Sequence, residues 1–151
     1  MANDTNEERL TAGPTVTVVK VAGEETGGKR SVVEMHLEAG WSGPPLHAHE
    51  TVEHTWYIVD GAVTLTVGDD VRTYGKGDAL TVPAGTPHGF STATTDGAVV
   101  LEVDTPALDG YFRDLAEAFP AGGPPDPAVI AEIMGRHDTR PILPEGVPSP
   151  T

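Results

Sequence analysis

The stretch HAHETVEHTWYIVDG, residues 47–61, sets two histidines one residue apart and a third five residues further on. Side chains of an extended chain alternate between faces, so His47 and His49 point the same way, and His54, Trp56, Ile58 and Asp60 share one face of the following run. Nitrogens from two neighbouring strands can then converge on a point about 2.0–2.1 Å from each, the usual metal–imidazole distance. Glu53 falls on the opposite face with Thr55 and Tyr57 and reaches an ion only through a local bulge. His54 is therefore the expected fourth ligand, with Glu53 as the alternative.

A second stretch, GDALTVPAGTPHGFST at 77–92, reads as a strand, a tight Pro83-Ala84-Gly85 turn and a strand carrying His88 inward beside Phe90 and Thr92. Proline fixes φ in such a turn and glycine permits the conformation that follows. Outward from these stretches, runs rich in Val, Thr, Leu and Tyr recur at 15–21, 31–37, 62–67, 71–74 and 98–103. Asp60-Gly61, Gly68-Asp69-Asp70, Gly75-Lys76-Gly77 and Asp96-Gly97 separate runs and supply the positive φ of tight hairpins. The 18 glycines and 14 prolines are spread among the runs instead of forming one tract, which predicts an all-β domain.

From Thr105 the period lengthens. Leu108, Tyr111, Phe112, Leu115 and Phe119 recur at three- and four-residue steps, predicting a three-turn helix capped by Thr105, with Pro106 in its first turn and a stop at Pro120. Asp126 then caps a second helix that has Pro127 at its first position and Val129, Ile130, Ile133 and Met134 on its apolar face. The expected organisation is a polar leader over 1–13, flexible or added as an edge strand, a barrel over 14–104, a helical appendage over 105–138 and an extended tail over 139–151.

The two histidine stretches resemble the two sequence motifs of the cupin superfamily. Gly77, Pro83, Gly85 and His88 match the second motif, with Thr92 where the family usually has asparagine. His47, His49 and Gly61 match the first, and His54 takes the register of the usual glutamate ligand; Gly40 lies one residue off the opening glycine. The gap at 62–76 resembles the short spacing of small single-domain cupins. The resemblance implies a double-stranded β-helix, the jelly-roll barrel, here with two short C-terminal helices. It also implies one divalent metal ion (Zn, Ni or Fe) on His47, His49, His54 and His88, a small-molecule substrate, and pairing as a homodimer. Met35, Trp56, Phe90 and Thr92 are the candidates for the pocket wall, although barrel aromatics more often serve as core. His36 is expected on the outer face, and His137 at a helix end, where a partly charged imidazole favours the dipole.

Three histidines and a glutamate leave a divalent ion one net positive charge, whereas four neutral imidazoles leave two and a stronger Lewis acid. Octahedral coordination keeps two positions for water or for a substrate with adjacent oxygens, such as an enolate or phenolate. The four-histidine set is similar to that of cupin polyketide cyclases, which implies cyclase- or isomerase-like chemistry on an enolic, phenolic or polyketide-type substrate, with metal-bound water or hydroxide as base. The overall similarity to quercetinase-like cupins makes an Fe, Ni or Cu dioxygenase the alternative, and a non-catalytic small-molecule binder the second.

A net charge of −14 and a pI near 4.5 argue against nucleic acid and anionic membrane as partners, since both would be repelled. No cysteine is present, so thiolate metal sites and disulfides are excluded. No run reaches the roughly 18 apolar residues of a membrane span, and the first residues lack the apolar stretch of a secretion signal. The expected location is the cytoplasm.

Overall fold

The computed structural model describes residues 7–44, 46–93, 95–119 and 125–142. Its strands are β1 (Glu8–Ala12), β2 (Thr15–Val21), β3 (Ser31–Leu37), β4 (His47–Ala48), β5 (Glu53–Val67), β6 (Asp70–Gly75), β7 (Ala79–Val82), β8 (His88–Ser91), β9 (Ala98–Thr105) and β10 (Arg140–Pro141). Two helices, α1 (Asp109–Ala118) and α2 (Pro127–Arg136), lie between β9 and β10. Pairing among the described strands is antiparallel, in the order β1-β2-β3-β9-β5-β8-β4-β10, with β6 and β7 also on β5. This is the all-β domain that the strand rhythm predicts, in the jelly-roll form that the resemblance implies.

One strand joins the two sheets. The first half of β5 pairs with β7 and β9, and its second half pairs with β6 and β8. Asp60-Gly61 is consequently not a hairpin turn but part of a continuous strand, where the pairing to β9 shifts register between Ile58 and Asp60. The extra residue of a bulge bends a strand and swaps its faces. His54, Trp56 and Ile58 are buried before it, and Val63 and Leu65 after it, so the inward parity changes from even to odd. The core lies between the sheets and is built on Val33, Met35, Trp56, Ile58, Leu65 and Val100.

Three boundaries differ from the sequence reading. Of the leader's two possible fates, residues 8–12 take the edge strand, pairing with β2. Thr105 does not cap a helix: β9 continues to Thr105, which pairs with Glu53, and α1 begins four residues later with Leu108 as its N-cap. The Leu108 N–H donates to Ser31 Oγ at 2.9 Å, so a β3 hydroxyl serves the helix entry. Asp126 caps α2 as expected, its side chain accepting from Ala128 N at 2.9 Å. The tail does not start free, because residues 140–141 pair with β4; its remainder from 143, and the stop at Pro120, lie outside the described residues. No described helix is long and apolar enough to cross a membrane.

Candidate metal centre

Strand pairing brings the histidines together. His47 on β4 stands opposite His88 on β8, with ring centroids 4.3 Å apart, and His49 lies 5.1 Å from both. The ligand atoms of these three all lie within 4.8 Å of one another. His54, on β5, places its ring 4.5 Å from His49 and 5.1 Å from His88. All four are buried, whereas Glu53 is exposed on the opposite face, so the bulge route to an ion is not taken. His54 also belongs to a second cluster, with Glu102 and Asp104.

The outer bonds of two imidazoles fix which of their nitrogens faces the centre, and a third imidazole is bonded to a carboxyl. His88 Nδ1 donates to the Thr86 carbonyl at 2.9 Å, and His49 Nδ1 donates to the Asp138 carbonyl at 3.1 Å. His54 Nδ1 is hydrogen-bonded to Asp104 Oδ1. A carbonyl oxygen can only accept, so Nδ1 of His49 and His88 carries the proton and Nε2 keeps its lone pair, the arrangement that metal-ligating histidines commonly show. Burial, followed by the neighbouring imidazoles, pushes His49 down to about 3, and burial followed by His47 does the same to His88. Neutral donors packed this closely fit a divalent cation.

Two carboxyls that the histidine motifs do not point to, Glu102 and Asp104, also stand at the site. Both are buried on β9, with Glu102 Oε1 3.5 Å from His54 Nδ1. Burial raises Asp104 to about 7, and burial together with the like charge of Asp104 raises Glu102 well above the usual carboxylate range. Glu102 Oε1 and Asp104 Oδ2 have no hydrogen-bond partner among the described residues. Acidic groups thus stand directly behind His54, with burial disfavouring their charged forms. An imidazole backed by a carboxylate is also the more basic donor.

The histidines form one wall of a cavity of about 270 Å³. Met35, Trp56 and Phe90 line it, and Trp41, Phe112 and Leu115 extend its apolar surface. Phe90 packs edge-on against Trp56 at 4.7 Å and Trp41 at 5.0 Å, a geometry aromatic quadrupoles favour. Thr92 is not part of this wall. Its hydroxyl donates to Glu38 O at 2.6 Å and accepts from Trp41 N at 3.0 Å, so it ties down the loop that carries Trp41. The helices supply the opposite side through Tyr111, Ile130 and Met134, while Glu102 adds a carboxyl to the lining. Burial, then the Glu102 charge, pushes the Tyr111 phenol up to about 12.

Residues 33–104 match the family model described as the cupin domain. The barrel has the cupin fold. Over 85 residues it is 33% identical to quercetin 2,3-dioxygenase of Bacillus subtilis, covering 55% of this chain and 24% of that enzyme. The chain thus spans about a quarter of that relative's length. Among solved structures, the polyketide cyclase RemF from Streptomyces resistomycificus superposes with a TM-score of 0.58 at 23% identity, over 70% of this chain and 78% of RemF. Oxalate decarboxylase of B. subtilis gives the same TM-score at 22% identity, over 67% of this chain and 28% of the enzyme.

Two histidines stand apart from the histidine cluster. His36 Nε2 lies 2.7 Å from Glu34 on β3, and His137 follows α2 with Nε2 2.6 Å from Asp114. The carboxyls of β9 gave little warning. Alternation exposes a polar face only where apolar residues keep one parity, and β9 carries Val99, Leu101 and Val103 on one parity and Ala98 and Val100 on the other. The available signal was the pair Glu102 and Asp104 at i, i+2 on a strand that had to lie beside His54.

Proposed function

We propose that this cupin is a metal-dependent enzyme acting by Lewis-acid chemistry, of the cyclase or isomerase kind, on a flat and largely apolar enolic, phenolic or polyketide-type molecule. The observation that carries the reading is the junction of the histidine cluster with the apolar cavity: Nε2 donors on one wall, aromatic rings on the others. His47, His49, His54 and His88 would hold one divalent ion, which when bound polarises carbonyl or enolate oxygens. Trp41, Phe90 and Phe112 offer ring surfaces to a planar ligand and exclude water from it. Glu102 offers the cavity a carboxyl whose charged form burial disfavours.

The likeness to quercetin 2,3-dioxygenase favours a second reading, in which the same residues hold a redox-active ion and the substrate reacts with oxygen. Oxygen uptake separates the two. Mixing the protein with a polyketide phenol or a flavonol in an oxygen-electrode cell should give product without oxygen consumption, at the same rate under nitrogen. Turnover that consumes oxygen and stops under nitrogen would establish the dioxygenase reading instead. Binding of these probes without any turnover would leave a non-catalytic binding cupin.

The cavity assignment has its own test. Leu115→Trp fills part of the cavity that the histidines line, at an overpacking cost of about 1–3 kcal/mol. We expect it to weaken binding of a planar phenol at least about tenfold, a loss of about 1.4 kcal/mol, while metal content stays unchanged. Fluorescence titration and elemental analysis read the two effects separately.

A further inference from the structure

The C-terminal segment expected as an extended tail is joined to the histidine-bearing loop at every described residue from Asp138 to Ile142. Asp138 takes a left-handed φ of 54°, which an aspartate tolerates better than most residues and which reverses the chain just after α2. Its carboxylate accepts from the backbone N–H groups of Glu50, Thr51 and Val52 at 3.1, 2.8 and 3.2 Å, and from the Thr51 hydroxyl at 2.7 Å. Arg140 and Pro141 pair with Ala48 and His47, and Ile142 N donates to Leu46 O at 2.8 Å. Arg140 further reaches Glu50 at 3.0 Å.

Between these contacts lies Thr139, buried, with Oγ1 3.1 Å from His49 Nδ1. The Thr139 hydroxyl donates its proton to His137 O at 3.0 Å. It is therefore left to accept from His49. The Asp138 carbonyl, 3.1 Å from the same nitrogen, is also an acceptor. Two acceptors on one Nδ1–H hold His49 in a single tautomer and a single ring orientation.

We infer that Thr139 is a positioning residue for the metal centre, and that residues 138–142 are its outer support. This inference rests on the metal-centre reading above. It has a consequence for the cavity, because α2 lines the cavity through Ile130 and Met134 and runs directly into this strap. A ligand that moves α2 would thus act on the loop carrying His47 and His49.

The test uses the full chain with Thr139→Val, which keeps the side-chain shape and removes the hydroxyl, and Thr139→Ser, which restores it. Competition between Zn²⁺ and a chromophoric chelator measures affinity, and imidazole ¹⁵N shifts of the metal-free protein report the His49 tautomer. Thr139→Val should bind Zn²⁺ about tenfold more weakly, the lower end of what losing an outer partner of a ligating histidine costs. Thr139→Ser should recover wild-type affinity, and wild-type His49 should carry its proton on Nδ1. Undiminished affinity in Thr139→Val, failure of Thr139→Ser to restore a loss, or a His49 proton on Nε2 in the wild type would each overturn the inference. If the wild type itself binds no Zn²⁺, the metal-centre reading fails, and the tautomer alone then judges the role of Thr139.

Discussion

Replacing His54 by alanine is expected to weaken divalent-metal binding by at least about 100-fold, beyond the usual cost of losing only an outer-shell partner. Glu53→Ala should stay within about twofold of the wild type, because Glu53 is exposed on the opposite face of β5 and faces none of the other histidines. His54 contributes a ring beside His49 and His88, and it shields the centre from Asp104 and Glu102. Without the imidazole the centre keeps three histidine donors instead of four, so an ion can still lodge on them but only weakly. Isothermal titration of both variants with Zn²⁺ checks this. Equal retention in the two would remove His54 from the ligand set.

The second large effect concerns the corner that aims β5. Gly61→Asn should destabilise the fold by about 3 kcal/mol, the upper end of overpacking costs, which for a chain of this size corresponds to a fall of roughly 6–12 °C in Tm. Gly61 has a φ of 72°, a conformation asparagine accepts well. In a free hairpin turn this substitution would therefore be mild. Here a Cβ at Gly61 would meet the Gly97 carbonyl oxygen at 2.1 Å and the Ala98 Cα at 3.0 Å, backbone atoms that cannot swing aside. A Tm unchanged in Gly61→Asn, followed by calorimetry, would show that the corner yields more easily than its contacts imply.

That contrast explains how far the sequence could be read. The strands were legible because their turns are written in glycine and proline, and the inward direction of His47, His49, His54 and His88 was legible because a strand has a period of two. Asp60-Gly61 misled for a physical reason: a glycine with positive φ serves a bulge as readily as a hairpin, and only the partners β9, β6 and β8, distant in sequence, decide between them. The same holds for the end of β9. Thr105 and Pro106 look like a helix start, but pairing of Ser31 with Asp104 and of Glu53 with Thr105 carries the strand through them. The support of the centre was the least legible part. Asp104, Glu102 and Thr139 act through contacts spanning 48 to 90 residues of chain, and a proline-rich ending gives no local sign that Asp138 and Thr139 will clasp the histidine loop.

The cupin likeness and the cavity leave the chemistry to one prior condition, that the four histidines hold an ion. Elemental analysis of the protein purified without added metal, repeated after dialysis against a chelator and readdition of Zn²⁺, Ni²⁺ or Fe²⁺, measures this directly. The account predicts about one divalent ion per chain, lost to the chelator, regained on readdition, and absent from His88→Ala. A well-folded wild-type protein that carries no metal and takes up none of the three would contradict it.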